Sequence, residues 1–168
     1  MVSSALLVIF PLLMIYAAWS DLLTMKISNR VSLILIAAFF LLAPFAGLGW
    51  EDVVRHLVVA AIVFAVCFIM FAFGFIGGGD AKLASATALW FGTALTIQYV
   101  VIAGLLGGLM TLLIIKFRGT LLPDWLMAAD WIRRLHDDKR GVPYGVALGA
   151  SALYLYPSSV WLAAAAAL

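Results

Sequence analysis

The sequence predicts an all-α polytopic membrane helix bundle, about six transmembrane helices with both termini outside. Composition is the first observation behind that expectation. Of 168 residues, 67 % are hydrophobic and only 11 % charged, where a soluble domain carries about 45–50 % and ~25 %. Mean hydropathy is +1.19. The last observation is placement: the ten Lys and Arg and eight Asp and Glu all fall between long apolar runs, where lipid tolerates them. The length suits a single domain spanning residues 1–168. Because the excess charge of +2 is scattered over loops, a nucleic-acid surface is not expected, and the bilayer is the expected environment.

Met1–Ser20 is uncharged and about as long as a bilayer crossing, ~20 residues. Without a basic start it reads as a retained span rather than a signal peptide. Asp21 to Arg30 is a short loop, Val31–Gly49 a second span, Glu51 to His56 a charged loop, and Leu57–Ile76 a third span. Leu83–Ile115 is too long for one upright helix and tight for two. The distribution of basic residues decides it, because cytoplasmic loops collect Lys and Arg. Two crossings, with a break near Thr93–Gln98, put nine of the ten basic residues on one side and leave only Arg55 opposite.

A long loop, residues 116–143, follows on the same inner side. Trp125, Ala128, Ala129, Ile132 and Leu135 recur there at helical spacing, which predicts one helix lying along the membrane surface. Tyr144–Leu168 is the last span. Cys67 is the sole cysteine, so a disulfide framework or multi-cysteine zinc site is excluded.

Two acids stand out against this background. Asp80 follows Gly77, Gly78 and Gly79 at the start of the fourth span, in a backbone stretch that another chain segment can approach closely. An acid at a helix centre in lipid costs roughly 2.5–3.5 kcal/mol, somewhat less at a rim. Asp21 ends the first span. The chain then crosses out and back, so both acids reach the same rim. Taken singly, Asp80 reads as a helix cap and Asp21 as a solvated loop residue. As a pair, close carboxylates share one proton, and such a pair can take a proton from water while hydrogen-bonding a scissile carbonyl. Helix polarity makes Asp80 the expected base and Asp21 the expected proton holder. His56 and His136 fall on opposite sides, so neither a histidine triad nor a zinc site is expected; no metal and no cofactor is called for.

Gly77-Gly78-Gly79-Asp80-Ala81-Lys82-Leu83 resembles the GxGD signature of the type IV prepilin peptidases, including the Lys82 that follows it in many members. Asp21, followed by Ile27-Ser28-Asn29, resembles their first aspartate motif, with Ser28 where proline is usual. Val142-Pro143-Tyr144-Gly145-Val146-Ala147 is similar to the segment opening their final span. The likeness is greatest to the short form serving tight-adherence (Flp) pili. The long form's zinc-binding cysteine loop has no counterpart here, so its N-methylation activity is not implied.

That resemblance implies a membrane-embedded aspartic endopeptidase of the bacterial inner membrane. Asp21 and Asp80 would be catalytic, cutting basic leaders from prepilins and pseudopilins at the cytoplasmic face. Asp137 and Asp138 are the acids placed to receive such a leader. Two other classes stay open on the residues alone. One is a proton-coupled transporter or channel component, since buried acids and broken helices serve there too. The other is a non-catalytic scaffold of pilus assembly.

Overall fold

Lipid leaves a spanning backbone no water to bond with, so the apolar runs must satisfy their own N–H and C=O groups. The computed structural model describes residues 2–167, and every regular element among them is helical. Helix α1 covers Val2–Thr24, α2 covers Asn29–Leu42 and runs into a 3-10 turn, α3 covers Trp50–Ala72 and α4 covers Gly78–Arg118. Short helices α5 (Asp124–Met127) and α6 (Asp130–His136) precede α7 (Tyr144–Leu155) and α8 (Val160–Ala167). Four helices, α1 to α4, are long and apolar enough to cross a membrane. The pair Tyr144–Ser158 and Val160–Ala167, bent by 45°, makes a fifth. Met1 and Leu168, the outer ends of the first and last expected spans, lie outside the described residues.

Several boundaries differ from expectation. Asp21 belongs to α1, not to a loop, because Leu22 and Leu23 carry the apolar run past it. The helix stops only after Thr24, where Met25 turns to φ 56 and donates its N–H to the Asp21 carbonyl at 2.8 Å. Glu51 to His56 are likewise helical. Acids in a first turn are favoured by the helix dipole; Asp52 accepts from the Gly49 N–H at 3.3 Å, and Arg55 lies 3.5 Å from both Glu51 and Asp52. The expected surface helix over Trp125–Leu135 is two helices, parted at Ala129, whose backbone is extended.

α4 contains the expected break, but its agent is Gly92 rather than the polar Gln98. Gly92 adopts φ 57 and ψ −153, a combination essentially restricted to glycine. His56 fills the space a side chain would need, its Nε2 2.5 Å from the ideal Cβ position, and its Nδ1 bonds the Leu89 carbonyl at 2.7 Å. The two limbs of α4 fold back on each other. Asp80 and Gly104 line one cavity, although twenty-four residues of unbroken helix would hold them about 36 Å apart.

The first limb is the centre of the bundle, with Ala81 and Leu83 through Gly92 buried. Around its far end sits an aromatic cluster. Trp90 donates to the Leu35 carbonyl at 3.0 Å, Trp161 donates to the Trp90 carbonyl at 2.6 Å, and the Tyr156 hydroxyl bonds the Leu6 carbonyl. Phe10 lies 5.0 Å from Trp90 and 4.7 Å from Tyr156, ring centre to ring centre. Aromatic packing closes that end of the bundle. Ten residues below Trp90, about 15 Å along the helix, Asp80 marks the other end. α3 stands apart: it packs chiefly on α4, and His56 is its only buried residue.

Candidate active site

Both acids line one cavity of about 320 Å³, together with Met25, Lys26, Ile27 and the three glycines Gly77, Gly78 and Gly79. That volume is on the order of ten water molecules. Fifty-nine positions apart in sequence, they meet because α1 and the first limb of α4 pack side by side through Met14, Thr87 and the core around them. Asp21 is 5 % exposed, and Asp80 is half-buried.

Each carboxylate rests on a glycine N–H at a helix start. Asp80 is the third residue of α4, and its Oδ2 accepts from the Gly77 N–H at 3.2 Å, one half of a capping box. Asp21 Oδ2 accepts from the Gly145 N–H at 2.7 Å, in the first turn of α7. In both places the missing side chain is what admits the oxygen. An ideal Cβ on Gly77 would stand 2.8 Å from Asp80 Oδ2, and one on Gly145 would stand 2.8 Å from Asp21 Oδ2 and 3.0 Å from Asp21 Cβ. The asymmetry expected from helix polarity therefore does not stand as drawn: α7 brings a second positive helix end to Asp21.

Capping alone does not mark Asp80 as special, since Asp52 caps Gly49 in the same way at an exposed site. What sets Asp80 apart is a second acid in its cavity.

Ile27 locks the segments together. Its Cβ lies 3.2 Å from the ideal Cβ position of Gly79, and its Cδ1 lies 2.7 Å from that of Gly145. The loop before it is tied down by Ser20 Oγ, which donates to the Lys26 carbonyl at 3.0 Å, and by Thr24 Oγ1 at 3.3 Å. Ser28 caps α2, accepting from the Arg30 N–H at 3.3 Å, with φ −68. Proline holds nearly that φ, so the serine departs from the usual motif without changing the path of the backbone. Lys82 points away from the acids and donates to Asn29 Oδ1 at 2.9 Å, joining the two acid-bearing segments from outside.

The other acids expected at the site are not in the cavity. Asp137 is occupied locally: Oδ2 pairs with Arg140 Nε at 3.3 Å, and Oδ1 accepts from the Lys139 N–H at 3.0 Å. Asp138 is exposed and has no side-chain partner among the described residues.

Sequence reasoning missed three residues that shape the site. Gly145 orients Asp21. Tyr144, its neighbour, fills the space where a Gly107 side chain would stand and lines the cavity on the inner side of Asp80. Arg118 holds the start of α7 in place, donating from Nε to the Leu135 carbonyl at 2.8 Å and from its terminal nitrogen to the carbonyls of Arg140 (3.0 Å) and Gly141 (2.8 Å). The available signal was Pro143 two residues before a glycine at the opening of an apolar run.

Among curated proteins and among solved structures, none matches the chain at a significant level. A family model does, over residues 8–112, which takes in Asp21, the glycine loop, Asp80 and both limbs of α4. With well over half of its length matched and both acid-bearing segments inside the match, the chain belongs to the type IV leader peptidase family.

Proposed function

We propose that this membrane peptidase uses Asp21 and Asp80 as a catalytic dyad. It removes the basic leader from Flp-type prepilins and pseudopilins at the cytoplasmic face of the bacterial inner membrane. One observation carries the reading: two carboxylates from distant parts of the chain share a cavity, each held by a backbone N–H of its own.

In the mechanism this supports, the ionised carboxylate takes a proton from water while its partner, holding the shared proton, hydrogen-bonds the scissile carbonyl. The water oxygen bonds to the carbonyl carbon. Collapse of that intermediate breaks the C–N bond, and a carboxyl proton passes to the leaving amine. A leader kept inside by its positive charge brings the junction to this depth, and Asp138 is the exposed acid nearby in sequence that is open to it. The six-span, both-termini-outside arrangement follows from the basic residues, nine of which share the side of the acids if α4 counts as two crossings. Against a proton-coupled transporter stands the aromatic closure at Trp90 and Trp161, which offers no polar exit from the far end.

Purified protein in a bilayer, given a substrate with a lysine-rich leader, should release the leader as a single fragment identified by mass spectrometry. An uncut substrate would instead favour the scaffold. The outer latch is expected to tune rather than make this activity. Lys82→Met removes one exposed hydrogen bond, worth ~0.5–1.5 kcal/mol, which limits the loss of cleavage rate to roughly tenfold.

A further inference from the structure

α3 leaves an apolar groove along the second limb of α4. Its wall is a helical stripe, Val59, Val63, Val66 and Met70, facing Ile97 and Val101, and it encloses about 530 Å³. From Val59 to Met70 the stripe runs about 17 Å. At its inner end the groove is continuous with a cavity of about 180 Å³, for Val63, Cys67, Met70 and Val100 line both. That inner cavity ends on Asp80, Tyr144 and Gly104. Gly104 has nothing within 4 Å of its ideal Cβ position, so a helix backbone has room to draw close there.

We infer that this groove docks the apolar helix of the substrate, the segment that follows the bond to be cut. The inference rests on the peptidase reading and adds to it the route by which the substrate enters. Three features favour this occupant over a lipid tail. The groove leads to a carboxylate, which an acyl chain has no use for and a peptide bond awaiting hydrolysis requires. It opens sideways, since α3 keeps almost all of its surface exposed. Its length suits the first three turns of a helix whose end lies at Asp80. The groove on the other face of α3, about 540 Å³ between α2 and the first limb of α4, reaches neither acid. It provides the comparison.

The test uses a synthetic prepilin-like chain with a lysine-rich leader, a glycine before the cut and an apolar helix of ~20 residues. A soluble peptide carrying the same junction without the helix is assayed beside it. Val66→Trp and Val101→Trp fill the groove at exposed positions away from the acids; Ile36→Trp fills the opposite one. The groove variants should raise KM for the helix-bearing chain about tenfold or more, with kcat little changed. Their cleavage of the soluble peptide should stay within about twofold, as should both reactions of Ile36→Trp. A photo-crosslinker at position 66 should capture the helix, and one at position 36 should not.

Unchanged KM in both groove variants would overturn the docking site, as would capture of lipid alone from position 66. An equal loss on the two substrates would do the same. Failure of the wild-type chain to cut either substrate would instead strike the peptidase reading itself.

Discussion

Asp21→Asn and Asp80→Asn should each reduce kcat by at least about 10²–10⁴-fold on their own, the usual contribution of a positioned acid or base. The substitution keeps the size of the side chain and the oxygen that accepts from Gly145 or Gly77, so the fold has little reason to change. What it removes is the ability to hold or pass on a proton. The effects should not add. Once one member is lost the other has no partner to share with, and the double variant should be about as inactive as either single one. Initial rates on a leader-bearing substrate, with thermal unfolding as the control for folding, measure this. Cleavage near the wild-type rate by either variant would remove that residue from the dyad.

Gly145→Ala should come next in size. The new methyl would stand within 3.0 Å of Asp21 Oδ2 and Cβ and 2.7 Å from Ile27 Cδ1. The carboxylate must then give up its N–H or turn away. Misplacing a catalytic group by about 1 Å costs on the order of 10²-fold, and the loss should fall on kcat while KM stays near wild type. Gly149→Ala is the matched control, one turn deeper on the same face of α7. Its methyl would stand 3.0 Å from the Met14 carbonyl and from Ala18 Cβ. It should lower the unfolding temperature while sparing kcat, because no carboxylate lies against it. Equal losses of kcat in the two variants would mean that α7 matters for packing alone.

Much of this was legible in the residues, for identifiable physical reasons. Lipid forbids charge so strongly that the apolar runs outline the spans, and the basic residues report sidedness before any helix is seen. Asp21 and Asp80 were conspicuous for the same reason. The break in α4 was visible as excess length, but Gln98 drew attention by polarity whereas Gly92 acts through backbone geometry. Helix starts were harder. Glu51, Asp52 and Arg55 read as loop because charge was taken to mean loop, yet a first turn outside the lipid favours those very residues. Hidden altogether was the contact between Asp21 and Gly145, which spans 124 positions and is made by a main-chain N–H that every residue but proline carries. A side chain announces its chemistry; a peptide group does not.

Arg118 has a consequence for how this chain can diversify. Its guanidinium fastens the carbonyls of Leu135, Arg140 and Gly141 to the end of α4, so the entry to α7 does not depend on the stretch from Gly119 to Ala129. Doubling the length of such a tether costs only ~0.6 kcal/mol in closure entropy. Insertions there should accumulate without disturbing the chemistry, leaving a surface on which related chains can acquire new docking addresses while the hydrolytic centre stays as it is.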